Sequence, residues 1–370
     1  MIPAPLDVPQ RVLLGPGPSD VAPAVLSALA KPTLGHLDPL VLRAMDELAD
    51  MLRRLYRTQN AWTLATSGTG TSGMEACLAN LVRSGDRVLV CVHGYFGLRL
   101  AEIARRSGAD VTVVEGEWGR PSDLDRAREA ARGGRFDLLC AVHAETSTGV
   151  LQDLTPLRAL ADELGALLVV DAVTSLGCVP LELDAWGVDA VYSCSQKGLS
   201  CTPGLSPVSF SPRAVERIRK RADTSPTFYL DANLLMGYWA GPRGYHHTAS
   251  SNLYCALHEA ARLALEEGLE ARWQRHARLG AELATGLEAL GLKLCVDAAH
   301  RLPQLTVVEI PEGVDDATVR GALLERFGIE IGGGLGAFKG RVWRIGLMGS
   351  GATPRNVALV LAALRAVLAR

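Results

Sequence analysis

The sequence predicts an α/β protein: a large domain of mostly parallel, helix-wrapped sheet and a smaller C-terminal α+β domain. Three observations carry this expectation. From residue 62 to residue 210, short apolar runs alternate with helical stretches, the pattern of parallel strands joined by crossover helices. Beyond about residue 250 the alternation stops, and long helical stretches with a few scattered strands take over. The 370 residues are also too many for one compact core, so two domains are expected. We place a proline-rich N-terminal arm at 1–16, the large domain at 17–267 and the small domain at 268–370.

Asp38-Pro39 opens the first well-signalled helix, with Asp as N-cap and Pro at the first helical position. Its apolar stripe, Val41, Met45, Leu48, Leu52 and Leu55, recurs at spacings of four and three. Strands are expected at 62–65, 87–92, 110–114, 137–142, 166–170, 190–193 and 207–210. Helices are expected between most of them, at 72–82, 97–106 and 155–164, the last opening on the cap signal Thr155-Pro156. In the small domain a helical stretch at 252–290 is interrupted at Gly268. Strands at 293–296, 305–310 and 341–345, a helix at 315–327 and a last helix from Pro354 complete it.

Composition bounds the function classes. With 48% apolar and 21% charged residues the chain reads as soluble and globular. A net charge of -2 gives no reason to expect nucleic acid or an anionic membrane as partner. No apolar stretch approaches the ~20 residues that span a bilayer. The eight cysteines form no Cys-x-x-Cys pair and lie mostly in apolar runs, as reduced thiols do. Met1-Ile-Pro-Ala-Pro-Leu-Asp7 lacks the basic head and apolar core of a signal peptide, and Leu368-Ala369-Arg370 is no peroxisomal address. A cytoplasmic location is the expectation.

The chemistry-bearing residues follow the strand ends, where parallel sheets bind ligands. Gly68-x-Gly70-x-x-Gly73 follows a strand and opens a helix, matching the dinucleotide fingerprint letter for letter. A dinucleotide site also requires an acidic residue at the end of the next strand, about twenty residues on. That strand ends instead in His93-Gly94, and Asp86 sits at its entrance. This disfavours a nicotinamide-dependent dehydrogenase. The loop still reads as an anion site, because free N–H groups at a helix N-terminus hold a single phosphate. Thr69, Thr71 and Ser72 add hydroxyl donors. A plain turn rich in caps is the other reading.

Phe96 follows the next strand and either stacks on a flat ligand or packs in the core. Thr146 follows residues 138–142, and its hydroxyl either reaches a ligand or bonds within its own turn. Asp171 ends a run of five apolar residues, Ala166-Leu-Leu-Val-Val170. Carboxylates are rarely buried unpaired, so Asp171 either caps the following turn or faces a cation. Lys197 ends Asp189-Ala-Val-Tyr-Ser-Cys-Ser-Gln-Lys197 at a glycine. Alone it reads as a solvated lysine. Lysine and aspartate after neighbouring strands, however, are what a pyridoxal phosphate enzyme needs. The lysine forms a Schiff base with the cofactor aldehyde, and the aspartate keeps the pyridine nitrogen protonated. His246 and His247 are adjacent, which hinders both from facing one ion, and no carboxylate–His spacing supports a metal. Arg344, among apolar residues of a small-domain strand, either pairs structurally or awaits a substrate carboxylate, which its planar fork grips at two points.

Taken together, these residues resemble the class V, fold-type I pyridoxal phosphate aminotransferases, and within them the alanine–glyoxylate / serine–pyruvate aminotransferases. The likeness runs through nearly the whole chain. It includes Leu14-Gly-Pro-Gly-Pro-Ser19, Ser67-Gly-Thr-Gly70, Glu145-Thr-Ser-Thr-Gly-Val-Leu151 and Val170-Asp-Ala-Val-Thr-Ser-Leu-Gly177. Ser193-Cys-Ser-Gln-Lys-Gly198, Tyr245-His-His-Thr248, Gly332-Gly-Gly-Leu-Gly336 and Arg344-Ile-Gly-Leu347 complete it. The resemblance implies pyridoxal 5'-phosphate as cofactor and a ping-pong transamination through a Lys197 aldimine, with Gln196 beside it. It implies that Asp171 pairs with the pyridine nitrogen, that Val173 packs on one ring face and that Phe96, a tryptophan in close relatives, stacks on the ring. Thr146 would approach the cofactor oxygen. Thr69, Gly70 and Thr71 would hold the phosphate, the last being histidine in some relatives. Tyr245 and Thr248 would reach the phosphate of a second subunit, so a homodimer is implied. Arg344 would bind the substrate carboxylate, and Gly17 would line the substrate pocket.

The implied substrates are alanine or serine with glyoxylate or pyruvate. A ureidoglycine–glyoxylate aminotransferase is the runner-up. A phosphoserine aminotransferase would want a basic cluster near Arg344, for which Lys339, Arg341 and His247 are the candidates. A cysteine desulfurase would want a cysteine on the 332–340 loop, which has none.

Overall fold

The computed structural model describes residues 2–240 and 243–369. Met1 and Arg370, the outer bounds of the expected arm and small domain, lie outside the described residues. Exposed chain through Arg11 leads into β1 (Val12–Leu13), α1 (Pro23–Leu29) and α2 (Pro39–Tyr56). The start of α2 follows from its sequence: Asp38 Oδ1 accepts the Leu40 N–H at 2.8 Å, while Pro39 has no N–H to leave unpaired. The stripe from Val41 to Leu55 is at most 1% exposed, each large side chain contributing about 1.5–3 kcal/mol by burial.

Strand and helix then alternate: β2 (Trp62–Ser67), α3 (Gly70–Leu81), β3 (Arg87–Val92), α4 (Tyr95–Arg106), β4 (Asp110–Glu115), α5 (Leu124–Ala130) and β5 (Leu138–Val142). A hairpin of β6 (Ala144–Glu145) and β7 (Val150–Leu151) precedes α6 (Thr155–Leu164), β8 (Leu167–Asp171), β9 (Ala190–Tyr192) and β10 (Leu205–Phe210). The sheet order is β2-β10-β9-β8-β5-β3-β4. β10 is antiparallel to both β2 and β9, so β2 shares the direction of the other five, which pair in parallel. The carboxyl ends of β2, β3, β5, β8 and β9 therefore open on one side of the sheet.

Next come α7 (Pro212–Arg219), α8 (Ala232–Trp239), α9 (Ser251–Glu267) and α10 (Leu269–Ala289), the last two separated by Gly268. After them follow β11 (Leu305–Glu309), α11 (Asp316–Phe327), β12 (Ile329–Glu330), β13 (Gly332–Gly333), β14 (Val342–Gly346) and α12 (Pro354–Leu368). One large apolar core runs from Val25 to Leu269; a second gathers Leu14 with residues from Leu279 to Val367. Leu14 enters the second core because β1 pairs in parallel with β12, which ties the start of the chain to its C-terminal part. No described helix is long and apolar enough to cross a membrane.

Predicted elements lie within about two residues of the observed ones, the usual scatter of element ends, with two departures. Residues 293–296 form no strand: only Leu294 bridges to Val308. Two backbone bonds hold the segment, Cys295 N to Val307 O and Glu309 N to Lys293 O, too few for a ladder. Thr155 is also not a cap. It is already helical, and Asp153 Oδ1 accepts its N–H at 2.9 Å.

Candidate active site

Asp171 is the last residue of β8, opposite Tyr192 of β9, and Lys197 lies in the loop that follows β9. Lys197 is 8% exposed. Its Nζ donates to Pro16 O at 2.6 Å and to Thr146 Oγ1 at 3.4 Å, and it has no ion-pair partner among the described residues. Burial lowers its pKa below that of an ordinary lysine; Cys194 opposes the shift and the Arg344 charge reinforces it. Gly17 makes the close approach of the Pro16 loop possible. Its φ is +111°, and a Cβ there would lie 3.1 Å from Lys197 Cγ and 3.3 Å from Nζ.

The buried Asp171 carboxylate accepts the Val173 N–H on Oδ1 and the Tyr192 hydroxyl on Oδ2, both at 2.8 Å. It caps the next turn and holds a phenol as well. Burial pushes its pKa up to about 6, against those two hydrogen bonds and the charges of Lys197 and Arg99.

Arg344, on β14 opposite Gly332, is 6% exposed. Its Nε donates to Gly333 O at 2.7 Å and its Nη1 to Thr146 O at 3.2 Å. No carboxylate pairs with it among the described residues. Burial pushes its pKa down to about 10, with Glu145 opposing. Thr146, whose hydroxyl also contacts that of Thr174, is thus where two buried cations meet, one from the loop after β9 and one from β14.

At the glycine loop, Thr69 precedes α3 and no side chain caps the helix N-terminus. Ser72 Oγ turns back to Thr69 O at 2.7 Å, Gly70 packs against Val173, and Thr71 Oγ1 accepts from Arg99 Nη1 at 3.2 Å. Phe96 lies half-buried in the first turn of α4. Gln196 is fixed through its backbone, its carbonyl accepting the Ser19 N–H at 2.9 Å. Tyr245, 67% exposed, and the exposed Thr248 hydrogen-bond to none of these residues.

Three residues of this site escaped the sequence reading. Fully buried Glu145 accepts the Phe96 and Gly97 N–H groups at 3.2 and 3.3 Å and the Ser147 N–H and hydroxyl at 2.9 and 2.6 Å. It thereby caps α4, and burial raises its pKa. Gly94 leaves it room: a Cβ there would lie 2.6 Å from Ser147 Oγ. The signal was a carboxylate just after an apolar strand, the same signal that singled out Asp171. For Tyr192 the signal was a hydroxyl on an otherwise apolar strand, which must find a partner. Arg99 lies three residues after Phe96, hence on the same helix face.

Chemically, the arrangement offers a buried amine of reduced basicity, an unpaired guanidinium beside it and a buried carboxylate one strand away. Residues 22–343 match the family model for aminotransferase class-V, and the chain belongs to that family. It is an aminotransferase, and pyridoxal 5'-phosphate, on which the family depends, is its cofactor. Its relatives include proteins of several named activities. It is 42% identical over 368 residues to an alanine–glyoxylate aminotransferase of Callithrix jacchus, covering 98% of this chain and 89% of the relative. It is 38% identical over 383 residues to an (S)-ureidoglycine–glyoxylate transaminase of Bacillus subtilis, covering 99% and 92%. The crystal structure of an alanine–glyoxylate aminotransferase from Nostoc sp. superposes with a TM-score of 0.97 at 50% identity, over 100% of this chain and 98% of that one.

Proposed function

We propose that this aminotransferase moves the amino group of a small monocarboxylic amino acid, alanine or serine, to glyoxylate or pyruvate in a ping-pong cycle. The observation that carries this reading is the meeting of Lys197 and Arg344 at Thr146, two buried cations without an acidic partner among the described residues. One is an amine that can condense with an aldehyde; the other is a fork for one carboxylate. A dicarboxylic donor needs a further cation. Arg99, which also touches a site residue and has no ion-pair partner among the described residues, reaches Thr71 rather than Arg344.

The residues fit pyridoxal 5'-phosphate. The uncapped start of α3 suits a phosphate held by Thr69, Gly70 and Thr71. Phe96 and Val173 would flank the ring, Thr146 would reach its oxygen, and Gln196 stands next to Lys197. When bound, the cofactor supplies an aldehyde for the amino group and a cationic ring that takes up electrons. Asp171, held by Tyr192 and the Val173 N–H, keeps the proton on the ring nitrogen. Arg344 orients the substrate by its carboxylate, with Gly17 lining the pocket. Lys197, its basicity lowered by burial, takes the proton from the substrate Cα and returns one in the reverse half-reaction.

The exposure of Tyr245 and Thr248 supports their reaching the phosphate in a second copy's site, so that the working unit is a homodimer. The two apolar cores support a large domain at 17–267 and a small one at 268–370. Eight free cysteines support a cytoplasmic home. A second reading takes (S)-ureidoglycine as donor to glyoxylate, and the Bacillus relative supports it.

A donor panel of alanine, serine, (S)-ureidoglycine, aspartate and glutamate against glyoxylate and pyruvate tests both. Alanine or serine with glyoxylate should be fastest. A rate confined to (S)-ureidoglycine would establish the second reading, and equal rates with aspartate or glutamate would sink the first.

A further inference from the structure

We propose that Arg99 is a charged ligand of the cofactor phosphate, reaching it from α4 across to the start of α3; this rests on reading residues 69–71 as the phosphate loop. α3 and α4 pack against each other, and Arg99 lies one turn into α4, beyond Phe96. Its single side-chain hydrogen bond among the described residues is Nη1 to Thr71 Oγ1 at 3.2 Å, and no carboxylate there pairs with it. The guanidinium carbon stands 4.9 Å from the Phe96 ring centroid and 5.5 Å from that of Tyr95, so two aromatic faces steer the fork. The other guanidinium N–H groups of Arg99 have no protein acceptor among the described residues.

This placement is electrostatically odd for a protein without a bound anion. A helix N-terminus carries partial positive charge, and cations are disfavoured beside it. Here an unpaired guanidinium bonds to the second residue of α3, at an N-terminus that no side chain caps. The Arg99 charge also reaches Asp171, whose ionised form it favours. A dianion at the loop would satisfy the helix end and the guanidinium together, with the Thr71 hydroxyl proton free to donate while its oxygen accepts from Arg99.

Pyridoxal, which has the aldehyde and the ring but no phosphate, separates this role from a structural one. Cofactor-free wild type, Arg99→Met and Arg99→Lys are titrated with pyridoxal 5'-phosphate and with pyridoxal, following protein fluorescence quenching, and the melting temperature of each cofactor-free protein is recorded. Arg99→Met should raise the Kd for pyridoxal 5'-phosphate by roughly 10- to 100-fold. Arg99→Lys should lose less, and pyridoxal affinity should differ by under about threefold among all three, since Arg99 reaches the ring only indirectly, through Phe96 and Asp171. Unchanged pyridoxal 5'-phosphate affinity, or an equal loss for both ligands, overturns the proposal. Should Arg99→Met fail to fold, Arg99→Lys carries the test, with a loss for pyridoxal 5'-phosphate alone expected. A wild-type protein that binds both ligands equally well would instead remove the phosphate-loop reading itself.

Discussion

Arg344→Met removes a guanidinium and leaves an unbranched apolar side chain in its place. The group lost is 6% exposed, donates to the Gly333 and Thr146 carbonyls and has no acidic partner among the described residues. Burial has already pushed its pKa down to about 10, a sign that its charge is held at a cost. A bound carboxylate offsets that cost. Two charge-assisted hydrogen bonds to a carboxylate contribute about 3 kcal/mol, taken at the low end, or about 150-fold in kcat/KM. Alaninamide lacks the carboxylate charge and keeps only a neutral carbonyl acceptor, so it gains far less from Arg344. The assay is therefore paired: single-turnover rates of alanine and alaninamide in wild type and variant, followed by cofactor absorbance. Alanine should lose about 10²-fold while alaninamide changes by less than about threefold, the difference isolating the carboxylate contact. An equal fall for both would make Arg344 only a tie between Gly333 and Thr146, and the substrate assignment would fail.

Other consequences follow from burial and backbone geometry. Asp171 in the cofactor-free protein has a pKa of about 6 against an ordinary 3.8, so its stability contribution is complete below 3.8 and lost as pH rises through 6. Asp171→Asn should then stabilise the cofactor-free protein at pH 7.5 by up to about 3 kcal/mol in urea unfolding while abolishing transamination; a less stable variant would refute the burial argument. Burial lowers His93 and His143 to about 4 and His276 to about 3. Their contribution is complete above 6.5 and lost as pH falls toward those values, so the urea midpoint should drop between pH 6.5 and 4. A flat midpoint over that range would mean these imidazoles are not buried neutral. Gly17→Ala places a Cβ at φ +111° against Lys197; it should cost about 1–2 kcal/mol in stability and slow the alanine half-reaction. Unchanged rates would mean that the Pro16 loop does not press on the lysine.

Much of the site was legible because its residues sit at strand ends. A parallel sheet sends every such end to one side, so Gly70, Phe96, Thr146, Asp171 and Lys197 could be gathered from sequence order alone. The α2 stripe was legible for a similar reason, since period and burial coincide there. What escaped depends on contacts between segments far apart in the chain. Glu145 carries the strand-end signal of Asp171, but its role shows only where α4 presents two N–H groups to it, and the partner of the Tyr192 hydroxyl shows only where it meets Asp171. The bond between Lys197 and Pro16 spans 181 positions, and no local pattern announces it. The tie of β1 to β12 is equally remote, which is why the end of the N-terminal arm gave no sign of joining the second core.

The central claim is that the buried Lys197 amine is the covalent anchor for the cofactor. Borohydride reduction of the holoenzyme, followed by proteolysis and peptide mass analysis, tests it most directly. The account predicts loss of visible absorbance and a phosphopyridoxyl mass on the peptide that carries Lys197, absent after reaction with excess alanine. The same mass on another lysine, or absorbance that survives reduction, would contradict it.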